Sequence, residues 1–232
     1  MLERLKLPAT RTRIRDDIAR DGFNNWGRLP SWDSVRISVT PNLPHYAGRT
    51  LGALAAERRQ DPVDCLCDYL IEDKGATRVL VTAISEDDVT ALMGSPLALI
   101  GSDGNCVATY GIVSQGMPHP RFYGTFPRVL SHYVREENAL PLPLAIHKMT
   151  GATARALKLK DRGLLREGFC ADVVLFDPDD FTDRATYADP HQFPSGARTT
   201  VIVNGTIVVE NATHTGALPG QVLRRDSSGA VV

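Results

Sequence analysis

The chain has 232 residues, 43% hydrophobic and 23% charged, with a formal net charge of −1. That balance belongs to a soluble globular chain and gives no electrostatic case for a nucleic-acid or anionic-membrane partner. No stretch approaches the roughly 20 apolar residues of a membrane span, and Met1 to Pro8 lacks the apolar core of a signal peptide.

Residues 1–28 are locally basic at +3, seven basic less four acidic side chains. The signs are interspersed, so this stretch reads as a solvated face. A helix is predicted from Pro8 to Arg20, then a strand at Val35-Arg-Ile-Ser-Val39, where apolar and polar residues alternate. The turn-rich Pro41 to Gly48 follows, and His45 within it reads as a solvated loop histidine. Helices are expected over Leu51–Arg59 and Pro62–Glu72, the second with Asp61 as N-cap ahead of a first-position proline. Cys65 and Cys67 flank Leu66 in that helix and do not face each other. With Cys106 and Cys170 they form no Cys-x-x-Cys pair and read as reduced thiols of a cytoplasmic protein.

Arg78–Ile84 reads as a strand, Ser85-Glu-Asp-Asp88 as the capped start of a helix to Met93, and Leu97–Ile100 as the next strand. This order implies parallel strands with right-handed crossovers, ending on one face at Ile84 and Gly101. Two helices are then expected, at about Phe126–Glu137 and Pro143–Leu157. From Leu164 the pattern turns to β. Ala171–Phe176 is a strand, and Val201–Val209 is a hairpin turning at Asn204-Gly205. The tail Ser227–Val232 reads as frayed.

The chemistry centres on Gly101-Ser-Asp-Gly104, where a carboxylate follows the end of a predicted strand. In a parallel α/β barrel that end carries catalysis, whereas Ser-Asp-Gly alone is also an ordinary turn. Beyond it lie His119-Pro-Arg-Phe-Tyr-Gly-Thr-Phe-Pro-Arg128 and Tyr133-Val-Arg-Glu-Glu137, then Lys160 to Gly168, Ala171-Asp-Val-Val174 and Val201-Ile-Val-Asn-Gly205. Together with Met1-Leu-Glu-Arg4 and Pro8-Ala-Thr-Arg11, these runs resemble the N-acyl-D-amino-acid deacylases (D-aminoacylases) of the amidohydrolase superfamily, across essentially the whole chain. The His-Pro-Arg run is the specific part, while Ala-Asp-Val-Val and Val-Asn-Gly are shared more widely.

The resemblance implies an α/β fold, the C-terminal strands and helices of a TIM-like metal-dependent hydrolase barrel followed by a small β-sandwich-type domain. Residues 1–49 correspond to a lid-like insertion, 50–157 to the barrel part and 158–232 to the β domain. It also implies a zinc enzyme that hydrolyses the linear amide of an N-acyl-D-amino acid. Asp103 takes the place of the carboxylate that accepts and returns the proton of the attacking water and lies within reach of the metal. Arg121 matches the arginine that grips the substrate carboxylate, which suits a planar two-pronged guanidinium, and His119 is a further substrate contact. Tyr123, Phe126 and Tyr133 read as packing, Arg128 and Arg135 as surface ion pairs, and His132 and His147 as surface residues.

In that family a His-x-His, a bridging Cys or Lys and two further histidines hold the zinc. Here the six histidines stand singly at 45, 119, 132, 147, 191 and 214. A catalytic zinc takes three protein ligands, and a barrel alone takes roughly 250 residues. The chain therefore reads as the C-terminal half of a hydrolase, expected to bind no zinc and to be inactive alone. An N-terminal-half partner or self-association is expected to cover its open edge. The alternatives are an amidohydrolase for cyclic amides, of hydantoinase or dihydroorotase type, and a non-catalytic structural or assembly protein derived from the fold.

Overall fold

A computed structural model of the chain describes residues 1–23 and 27–224. The tail read as frayed, Ser227–Val232, lies outside the described residues. The chain forms two compact units, one of Met1–Ser85, Cys106–Pro120 and Thr186–His191, the other of Glu86–Asn105, Arg121–Ala185 and Gln192–Val232. Among the described residues no helix is long and apolar enough to cross a membrane.

The first unit opens with helices α1 (Leu2–Leu5) and α2 (Pro8–Asp21), followed by strand β1 (Val35–Val39). Helices α3 (Leu51–Arg58) and α4 (Pro62–Glu72) then lead to strand β2 (Arg78–Val81). Capping sets the helix starts, since Thr50 accepts from the Ala53 N–H and Asp61 from the N–H groups of Val63 and Asp64. The alternation read in β1 holds at Val35 and Ile37, which turn inward onto Leu51, Leu54, Cys65 and Tyr69, and breaks after Ile37, where the register shifts and Ser38 is buried in place of Val39. Cys67 faces the other way, into a second cluster with Leu5 and Val63, and burial pushes both thiols up from their ordinary pKa.

The basic start is more than a solvated face. Arg11 pairs with Asp64 and Asp68, and Arg15 with Asp61 and Asp64, which ties α2 to α4. Such solvent-screened pairs contribute little to stability, so they orient α2 more than they stabilise it. β2 is shorter than expected, ending at Val81, and runs antiparallel to β1 with Val35 opposite Val81 and Ile37 opposite Val79.

The second unit holds helix α5 (Glu86–Gly94), beginning directly after Ser85, then α6 (Arg121–Arg128) continued by a π-helical segment, Val129–Glu136. Helices α7 (Leu142–Met149) and α8 (Gly151–Ala156) follow. Its core gathers Met93, Val129, Leu130, Tyr133, Leu140 and Ala145. Strands β3 (Val173–Leu175), β4 (Thr200–Val203), β5 (Thr206–Glu210) and β6 (Thr213–His214) make one antiparallel sheet in sequence order. Asn204 and Gly205 turn the β4–β5 hairpin with φ of 48° and 79°, the positive pair that a two-residue turn of this hand requires.

Three expectations are corrected. Leu97–Ile100 is not a strand, so the expected parallel pair is absent and Ile84 and Gly101 do not end a shared sheet. Leu97 is 92% exposed while Ile100 packs on the core. A short apolar run thus reported partial burial, whereas a strand also needs a hydrogen-bonded neighbour. The helix expected from Phe126 begins at Arg121, holds Pro127 inside its α-helical part and continues as the π-helical segment from Val129. The single helix expected over Pro143–Leu157 breaks at Thr150, whose φ and ψ of −128° and −97° are not helical.

Asp73 is the polar keystone of the first unit. It is fully buried and accepts from the Asn42 N–H at 2.9 Å and from the Thr77 hydroxyl. Burial alone would raise its pKa, but these donors outweigh it and hold the carboxyl below the usual range. A depressed folded pKa stabilises the fold above the unfolded value, near 4, and that stabilisation is lost as pH falls through the folded value. Asp73→Ala is expected to cost about 2–3 kcal/mol in urea unfolding at neutral pH and to flatten the loss of stability below about pH 4. An unchanged acid profile would contradict this role.

Candidate functional site

The chain leaves α5 under the control of Lys148. This buried ammonium on α7 donates to the carbonyl of Met93 at 2.7 Å and to that of Ser95. A buried lysine must find acceptors, and the last carbonyls of a helix are unsatisfied and negatively polarised. From that anchor the chain runs past Ile100 into an irregular loop carrying Gly101-Ser-Asp-Gly104. Ser102 Oγ accepts from the Gly104 N–H at 3.2 Å, and Asp103 takes the left-handed φ of 46°. Asp tolerates that region better than most residues. A Cβ at Gly104 would lie 3.4 Å from Phe122 Cα, whereas one at Gly101 would meet nothing within 4 Å.

Arg121, the first residue of α6, closes onto this loop. Its Nη2 donates to Asp103 Oδ2 at 2.6 Å and its Nε to the Asp103 carbonyl at 3.2 Å. The Asp103 side chain is 86% exposed and that of Arg121 40%. The structure therefore brings together two of the three residues singled out by sequence. The third, His119, belongs to the first unit. Its Nε2 meets the Tyr187 hydroxyl at 2.9 Å, the two rings pack edge-on at 5.1 Å, and Arg36 lies over the same tyrosine at 5.8 Å. Tyr187 was missed because it stands 68 residues away, in a segment with no motif of its own.

The rest of the His-Pro-Arg run is architecture. Tyr123, Gly124 and Pro127 are buried, with Tyr123 edge-on to Phe193 and Gly124 facing the Asp183 side chain, which a Cβ would meet at 3.0 Å. Asp183 also accepts from Ser131 Oγ at 3.0 Å and pairs with Arg128 at 3.5 Å. Tyr133 is buried and donates to Glu86 at 2.6 Å; burial, then that bond, pushes its phenol up. Phe126 is 44% exposed. Arg135 bonds the Pro178 carbonyl and Thr182 Oγ1, and His132 meets Glu136 at 2.9 Å.

Two chemical capacities result. A solvent-facing carboxylate can accept and return a proton, and a guanidinium fork can grip a second carboxylate. A metal centre does not follow from these residues. Among the described residues no three His, Cys, Asp or Glu side chains are placed to hold an ion.

The amidohydrolase family model matches residues 8–209. The chain is 37% identical over 186 residues to the D-aminoacylase of Alcaligenes xylosoxydans xylosoxydans, covering 80% of this chain and 36% of that protein. It is 38% identical over 216 residues to the N-acyl-D-aspartate deacylase of the same organism, covering 93% of this chain and 39% of that one. A crystal structure of D-aminoacylase superposes with a TM-score of 0.68 at 31% identity, over 92% of this chain and 45% of that one. The N-acyl-D-glutamate deacylase of Bordetella bronchiseptica, solved with zinc and a phosphonate mimic of the tetrahedral intermediate, gives 0.65 at 34%, over 78% and 35%. The chain thus spans less than two fifths of the length of these curated relatives, and by the extent of its match it belongs to the amidohydrolase family.

Proposed function

We propose that the chain serves the hydrolysis of N-acyl-D-amino acids at their linear amide, with Asp103 moving the proton and Arg121 holding the substrate's α-carboxylate. The observation that carries this reading is the Asp103–Arg121 pair within a chain similar to three deacylases of N-acyl-D-amino acids. The pair is exposed and contributes only about 0–1 kcal/mol, so a substrate carboxylate can take over the guanidinium at little cost. Its arrival frees Asp103 Oδ2 to accept a proton from the attacking water and then deliver it to the leaving nitrogen. Binding and proton transfer are thereby linked through one side chain.

The solved N-acyl-D-glutamate deacylase carries zinc, and when bound it supplies a Lewis acid that activates water. The described residues here offer it one exposed carboxylate and no converging histidines, so the steps above belong to this chain's own side chains. The finer architecture is part of the same proposal. Residues 50–157 are the C-terminal part of a barrel, 1–49 a segment over its mouth, and 158–232 one side of a β-sandwich. Four free cysteines suit a cytoplasmic setting.

Metal analysis of the purified chain is expected to find well under one zinc per chain, because a stable catalytic site takes three protein ligands. One tightly held zinc would contradict the reading. Kinetics test the roles of Asp103 and Arg121. The chain is fused to the part of the D-aminoacylase relative outside the match and given N-acetyl-D- and N-acetyl-L-amino acids. The D substrate is expected to turn over. Asp103→Asn is expected to lower kcat by about 100-fold or more, the usual scale of acid–base catalysis. Arg121→Lys is expected to act chiefly on KM, because lysine keeps the charge and loses the fork. Near wild-type turnover by Asp103→Asn would overturn the assignment.

A further inference from the structure

In the second unit an open cavity of about 570 Å3 lies between α8 and the connection that follows it, within the size range of small-molecule sites. Arg155, Lys158, Lys160, Arg162 and Arg166 line it, and among the described residues no acidic side chain does. Its apolar surface comes from Ala154, Leu159, Leu164 and Phe169. The back wall is tightly built. Gly163 has φ +80°, and a Cβ there would lie 2.5 Å from the Ala154 Cβ, so only glycine lets the connection close on α8.

The charges around this cavity are not balanced. Arg162 is neutralised, pairing with Asp172 and donating to Asn204 Oδ1 at 2.8 Å. Among the described residues Arg155, Lys158, Lys160 and Arg166 have no carboxylate within ion-pair distance. Arg155 meets only His147 Nε2, at 3.4 Å, and Arg166 lies over the Phe169 ring at 6.0 Å. The nearby Asp161 carboxylate is engaged by the Cys170 thiol. Complementing a helix C-terminus accounts for Arg155 alone, since the other cations lie beyond α8. Like charges gathered on one concave wall repel in the empty state, and a multivalent anion relieves that repulsion.

We propose that this cavity binds an organic phosphate, its phosphates held by Arg155, Lys158, Lys160 and Arg166 and its organic part seated on Leu159, Leu164 and Phe169. Guanidinium forks and ammonium point charges together suit phosphate oxygens, and the apolar floor gives a nucleotide-sized ligand an advantage over a bare anion. This site is independent of the Asp103–Arg121 chemistry.

The test is calorimetric titration of the full 232-residue chain with ATP, inorganic pyrophosphate and adenosine, without added metal. Saturable binding of one ATP per chain is expected, with pyrophosphate weaker and adenosine undetected. Lys158→Ala and the exposed Lys160→Ala should each weaken ATP about tenfold, the loss of one charge-assisted contact. Arg20→Ala, outside the cavity, should leave binding unchanged. Circular dichroism melting confirms that each variant is folded. No saturable binding by folded protein, or binding that the cavity variants leave intact, overturns the proposal. Pyrophosphate binding as tightly as ATP overturns the role of the apolar floor.

Discussion

The second unit is organised by a buried charge. Lys148 Nζ sits inside the protein and reaches the carbonyls of Met93 and Ser95, and an ammonium buried without acceptors would cost several kcal/mol. The end of α5 supplies those acceptors, so α7 and α5 fix each other. That lock determines where the chain departs toward Ile100 and the Asp103 loop. Ala145, one turn earlier on α7, belongs to the same core as Met93 and Tyr133, so the polar anchor and the apolar packing agree.

On this fixed base stands a pair that is easily broken. Asp103 and Arg121 meet in solvent, where ion pairs contribute little. A tight scaffold beneath an exchangeable contact suits a site that must release one carboxylate to receive another. The basic cavity beside α8 is built differently, from clustered cations over a wall closed by Gly163. The two features share a unit and no residues.

Much of the local structure was legible from sequence. Asp61 ahead of Pro62 marks the start of α4, and Asn204-Gly205 marks the hairpin, because both signals act within a few residues of themselves. Val35–Val39 was legible because its inward face has a core to meet. The failures are tertiary. Leu97–Ile100 is apolar like a short buried strand, but among the described residues no strand lies beside it. The helix expected from Phe126 starts five residues earlier, at Arg121, so that Pro127 falls inside it. Asp103 and Arg121 could be named from their motifs, but their mutual pairing could not. Each had been matched to a separate target, and 18 residues of intervening chain carry no periodic signal. Tyr187 against His119 was invisible for the same reason.

The central claim is that a substrate carboxylate displaces Asp103 from Arg121. It is tested most directly by NMR of the Arg121 guanidinium and the Asp103 carboxyl in the fused protein during titration with an N-acetyl-D-amino acid. The account predicts that both resonances shift together, saturably, with the D enantiomer and not with the L. Saturable substrate binding that leaves the two signals unmoved, or that moves Arg121 while Asp103 stays paired, would contradict it.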